Sequence, residues 1–215
     1  MRHTPAFFVA DALALDFLNS AATPADIPVE WLDSGAGLLR WLRQAELVPA
    51  PVLKEVRSHS LPGELDKVAG QARGLREWFR EFVERHRGHP LTRADLNELK
   101  PLNRLLERDD SYHQLEATPE DSHRPFELLD LRRWRSPGTL LVPIAETVAR
   151  FICAEDFTYV KACEGPTCRL LFADHTQGRA RRWCSMALCG NRAKQANHRQ
   201  RLKANRGVRG VGWER

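Results

Sequence analysis

Four cysteines, Cys163, Cys168, Cys184 and Cys189, form two C-x4-C pairs with fifteen residues between them. A short pair lets one tight turn present two sulfurs. Four thiolates in a tetrahedron suit a soft divalent cation, so the spacing predicts one structural Zn2+. Gly165 and Pro166 lie inside the first pair, as such a turn requires. The apolar run of the first twenty residues is broken by Asp11 and Asp16, which argues against a secretory leader, and no segment reads as a membrane span. A cytoplasmic protein is therefore expected, with thiols that stay reduced and bind metal instead of pairing as disulfides. Cys153 stands apart in an apolar helical pattern and is expected to be a small core residue.

The residues around the cysteines are mostly cationic. Residues 1–160 carry a net charge of −5 and residues 161–215 a net of +10. Four thiolates with one zinc ion still leave the basic end near +8. An acidic body with a cationic tip is drawn to phosphates at the tip, so double-stranded DNA is the expected partner. The candidate contacts are Arg169, Arg181, Arg182, Arg192, Lys194, Arg199 and Arg201. After Cys189 a helix is expected over 192–204, with Asn191 as N-cap. Its few apolar residues cannot bury a wide face, which frees the rest to meet an anionic surface. A helix of that kind fits a major groove, where arginine bridges phosphates and reads guanine edges.

These groups must be positioned by the rest of the chain. Apolar residues at three-and-four spacing predict a long helix over 65–83, and a shorter one runs from Gly35 to Leu47, capped by Ser34. Thr92 and Asp95 resemble a capping box opening a further helix that Pro101 should divide. Alternation through Leu115, Ala117, Phe126 and Leu128 predicts a β-hairpin, and Pro143 sits at an expected first helical position. Around the cysteines the order is knuckle, hairpin, second knuckle and helix, the plan of a treble-clef zinc finger. Asp174 is expected to pair with an arginine such as Arg182, and Trp183 to pack over the metal core. The fold class is thus α+β: a mainly helical N-terminal domain with a small β-hairpin, residues 1–160, a treble-clef finger, 161–206, and a tail, 207–215. A cysteine substitution is then expected to unfold the finger and leave the N-terminal domain intact.

The string RRWCSM followed by CGNRAK, with the preceding C-E-x3-C, Phe172 and Asp174-His175, resembles the CGNR-type zinc finger of bacterial regulators. In that family the finger follows an ABATE domain, whose opening motif the stretch LALDFLNS, Leu13 to Ser20, is similar to. The resemblance implies a stress-linked transcription regulator whose N-terminal domain senses an unidentified ligand. Asn19 and Arg76 are candidates to line such a ligand pocket, although residues so placed are more often hydrogen-bonded structural ones. Two other readings stay open. Asp174-His175, Asn191 and His198 follow the order of a metal-dependent HNH-like nuclease, though Asn191 falls after the last cysteine and His198 lacks an acidic co-ligand. A treble clef can also serve as a protein-interaction module. Useful DNA specificity from one finger would call for a homodimer or a second contact, and the sequence carries no dimerisation signal.

Overall fold

The computed structural model describes residues 5–23, 28–119 and 122–208, and within the last helix the side chains of 191–196 and 198–200. The chain forms two compact units that do not follow chain order: residues 31–84 with 91–154, and residues 1–30 with 85–90 and 155–215.

The first of these is mainly helical. Helices α2 (Gly35–Gln44), α3 (Ala50–His59) and α4 (Glu64–His86) are followed by a 3-10 helix, Arg93–Leu99, that passes into α5 (Lys100–Leu106). Ser34 accepts from the Gly37 amide at 3.1 Å, and Asp95 accepts from the Thr92 amide at 2.7 Å. Pro101, in the first turn of α5, marks the break between the two helical pieces. Gly35 is required where α2 starts against α4: a Cβ there would lie 2.4 Å from Leu65 Cβ, and its amide donates to Asp66 Oδ1 at 2.7 Å. Strands β3 (Ser111–Ala117) and β4 (Phe126–Arg132) pair antiparallel with Leu115 opposite Leu128 and Ala117 opposite Phe126. Leu115, Phe126 and Leu128 are exposed on that hairpin, so its apolar alternation marks a strand and not a core face.

Helix α6 (Leu141–Ala154) begins two residues before Pro143, because a 3-10 turn at Pro137–Leu140 leads into it. By length and mean hydropathy, 1.3 over 18 residues, Pro137–Ala154 is apolar enough to cross a membrane, contrary to expectation. Its Leu141, Val142, Ile144, Ala145, Val148 and Phe151 are instead core residues, with the Phe151 ring edge-on to Phe79 at 5.9 Å. Cys153 is exposed, not buried as the pattern suggested, because it falls on the outer side of this helix. Arg132 bridges Asp109 and Glu146, while Arg133 and Arg135 share Asp110.

The second unit joins the N-terminal segment to the cysteine region. Helix α1 (Leu13–Leu18) buries Leu15, Phe17 and Leu18 and is followed by the short pair β1 (Ala21–Ala22) and β2 (Val29–Glu30). Strands β5 (Val160–Ala162) and β6 (Leu171–Ala173) pair antiparallel, and the first cysteine pair forms the connection between them. The hairpin therefore encloses the first knuckle instead of following it, and the return through Arg181–Trp183 is irregular apart from a Glu164 amide to Arg182 carbonyl bond of 2.9 Å. Ser185 caps one π-type turn, Met186–Gly190, which runs straight into α7 (Asn191–Val208). Asn191 is already helical, with φ −66° and ψ −36°, so the cap expected of it is supplied six residues earlier by Ser185, whose hydroxyl accepts from Leu188 N at 3.0 Å.

Candidate metal centre and nucleic-acid interface

The four cysteine sulfurs lie within 4.8 Å of one another, and Cys168 Sγ is 3.9 Å from Cys184 Sγ. A tetrahedron with metal–sulfur bonds of about 2.3 Å needs sulfurs about 3.8 Å apart, so the cage fits one zinc ion. The backbone favours thiolates: Cys163 Sγ accepts from the amides of Cys184 at 3.3 Å and Gly165 at 3.5 Å. The knuckle leaves no room for a side chain at Gly165, where a Cβ would stand 3.0 Å from Cys168 Cβ and 3.1 Å from Cys189 Sγ. As bare thiols the four groups conflict. Hydrogen bonds from Cys168 and Cys184 hold the Cys163 thiol down, the same sharing pushes Cys184 up, and burial pushes Cys189 up to about 12. A dication resolves the conflict by letting all four ionise together. Three of the four are buried and no ligand position is left over, which makes the site structural.

Residues of the N-terminal segment complete this metal unit. Asn19 is 1% exposed and clasps β6 at both ends of its amide: Nδ2 donates to Leu171 O at 2.8 Å, and Leu171 N donates to Oδ1 at 3.0 Å. This double bond makes Asn19 a brace for the finger. Ala173 N donates to Ala10 O at 2.9 Å. Asp16 is buried and accepts from the amides of Val9 and Ala10 at 2.8 and 3.0 Å; burial pushes its carboxyl up to about 6 against those bonds.

Arg181 is turned inward. Its guanidinium meets Asp11 and the Val9 carbonyl at 2.6 Å each, the Trp183 carbonyl at 3.0 Å and the Cys184 carbonyl, and it lies 4.2 Å over the Phe172 ring. Four of its five N–H donors are so engaged, and Arg181 thereby clamps the N-terminal segment to the cysteine region. Asp174, fully buried, pairs with Lys161 at 2.7 Å and not with Arg182; it also accepts from Thr176 and from the Arg181 amide. Burial alone would raise that carboxyl, but Lys161 and the three donors reverse the effect and hold it well below the usual range. Lys161, Asp11 and Asp16 were not among the expected site residues. The motif around Asp16 was visible in the sequence, but neither spacing nor charge reveals that Asp11 pairs with Arg181, 170 positions away.

The remaining cations face outward. Arg182 pairs with Glu164 and lies 5.1 Å over the Trp183 ring. Arg169, Arg192, Lys194 and Arg199 are exposed. Arg182, Trp183, Arg192 and Arg199 line one cleft of about 450 Å³ between the first knuckle and α7. The Arg201 side chain lies outside the described residues. His175 is held by Glu155 at 2.9 Å, and neither it nor His198 joins a cluster of three metal-ligand types among the described residues. In the helical unit Arg76 is buried and pairs with Glu77 at 3.0 Å.

A helical body with short β-pairs and a four-thiolate cage seated at the start of a basic helix defines a zinc-finger protein. Two family models match the chain: ABATE, described as "Putative stress-induced transcription regulator", over residues 11–155, and the CGNR zinc finger over residues 159–202. The chain belongs to the ABATE family and carries a CGNR zinc finger that holds one structural zinc ion. Both descriptions are of regulator or zinc-finger type and neither is of an enzyme. The chain matches no curated protein.

Proposed function

We propose that the finger binds double-stranded DNA through the cleft beside the cage and the exposed side of α7, and that the protein regulates transcription by that contact. The observation that carries this reading is the convergence of Arg182, Arg192 and Arg199 on one cleft with Trp183 at its wall, next to Lys194 and Arg169. Zinc does no chemistry in this scheme; held by Cys163, Cys168, Cys184 and Cys189, it fixes the start of α7 relative to the knuckle. Arg181 is left out of the interface because most of its donors are engaged inside the unit.

Among the described side chains five of the expected cations then remain, Arg169, Arg182, Arg192, Lys194 and Arg199, and each neutralised phosphate contributes to counterion release. Log affinity for duplex DNA should fall with log salt at a slope of about −4.5, and Arg192→Gln with Arg199→Gln should flatten it to about −2.7. Fluorescence anisotropy of a labelled duplex at graded salt concentrations measures both. A slope near zero would mean that the cleft receives a protein or a small ligand instead, and enrichment of one motif from a random duplex pool identifies the operator.

A further inference from the structure

A second cationic site lies in the helical unit, away from the zinc cage in sequence and independent of the DNA reading. We propose that the groove between α2 and α3 binds a small organic anion with an apolar body, headed by a carboxylate or a phosphate monoester. Its floor is apolar: Leu39 from α2 and Leu53 from α3 line it while remaining 8% and 6% exposed. Its rims are cationic, with Arg40 and Arg43 one turn apart on α2, and Lys54 and Arg57 one turn apart on α3. The groove is half open and offers about 340 Å³, within the range of small-molecule sites, which seats roughly ten heavy atoms at about 30 Å³ apiece and leaves the rest of a longer ligand in solvent.

The charges on the rims are what call for an anion. Arg132, Arg133, Arg135 and Arg150 of the same unit each have a carboxylate partner. None of the four groove cations has an ion-pair or hydrogen-bond partner among the described residues. No acidic residue lines the groove, although the first 160 residues are acidic overall. Like charges on neighbouring helices repel one another, and an anion between the rims would relieve that repulsion. The floor decides the class of anion. A nucleic-acid backbone needs only cations and gains nothing from leucines beneath it, whereas a hydrocarbon or aromatic body would be desolvated there while its head group meets the guanidinium forks.

The test uses the full zinc-loaded chain and 1-anilinonaphthalene-8-sulfonate, an aromatic anion whose fluorescence rises in an apolar site. The probe should bind saturably, and decanoate or decyl phosphate should displace it where decanol and inorganic phosphate do not. The better competitor of the two identifies the head group. Arg40→Gln with Arg57→Gln should weaken probe binding about tenfold with a thermal melt no lower than that of the parent. Ala36→Phe, which keeps all four charges and fills the groove, should weaken it as well. Arg192→Gln with Arg199→Gln, in the finger, should leave it unchanged. Equal affinity in both groove variants would overturn the proposal. So would displacement by inorganic phosphate as effective as that by decanoate, or a loss of duplex DNA affinity in the groove variants while probe binding persists.

Discussion

Replacing Asn19 by alanine removes a side chain that satisfies both the amide and the carbonyl of Leu171 inside the metal unit. Alanine supplies neither partner, and a site 1% exposed is too closed for water to take over without rearrangement. Each orphaned backbone group costs about 1–3 kcal/mol, so the pair should cost about 2–6 kcal/mol. With a urea dependence of about 1–3 kcal/mol per molar, the unfolding midpoint should drop by about 1–2 M. Leu171 stands three residues beyond Cys168, so loosening β6 should also speed zinc loss to a competing chelator, followed by its colour change. Asn19→Asp should be no better, because a second carboxylate oxygen then faces the Leu171 carbonyl. If Asn19→Ala unfolds within about 0.5 kcal/mol of the parent and releases zinc at the same rate, Asn19 is not a brace and the ligand role regains its place.

Two further outcomes are expected. Stripping zinc with a chelator should raise amide exchange over residues 5–22 together with 159–190, since Ala10, Asn19 and Arg181 tie these segments into one unit; unchanged protection of residues 13–20 would show the finger to be autonomous. Asp16 titrates higher in the folded chain, about 6 against 3.8, so its contribution to stability is full below about pH 4 and is lost as pH rises through 6. Asp16→Asn keeps an oxygen for the Val9 and Ala10 amides and removes that loss. Its stability relative to the parent, from urea melts at each pH, should therefore increase between pH 4 and 7 and then level off; a difference independent of pH refutes the assignment.

Much of the architecture was legible in the residues. The cysteine pairs, the long helix α4, the Ser34 and Asp95 caps, the β3–β4 hairpin and the basic α7 follow from local chemistry, in which the informative residues are near one another in sequence. Helix α3 was not anticipated, because Leu53 and Val56 are its only buried residues and a stripe that narrow gives little periodicity. The roles of Arg181 and Asn19 were illegible for another reason. A charge count treats Arg181 as one more cation, and only tertiary structure turns it toward Asp11 and the Phe172 ring. Leu115, Phe126 and Leu128 show the same limit from the other side: alternation identifies the strand but does not say whether anything covers it.

The clasp between Asn19 and Leu171 joins residues 152 positions apart. On a ribosome adding about 5–20 residues per second, the LALDFLNS segment is made about eight to thirty seconds before its partner strand. During that interval Leu15, Phe17 and Leu18 have no β6 to cover them, while residues 31–154 emerge and can collapse as a unit of their own. Nascent chains therefore carry an uncovered apolar helix until the last quarter is made, so the order of synthesis leaves this segment among the last to reach its native packing.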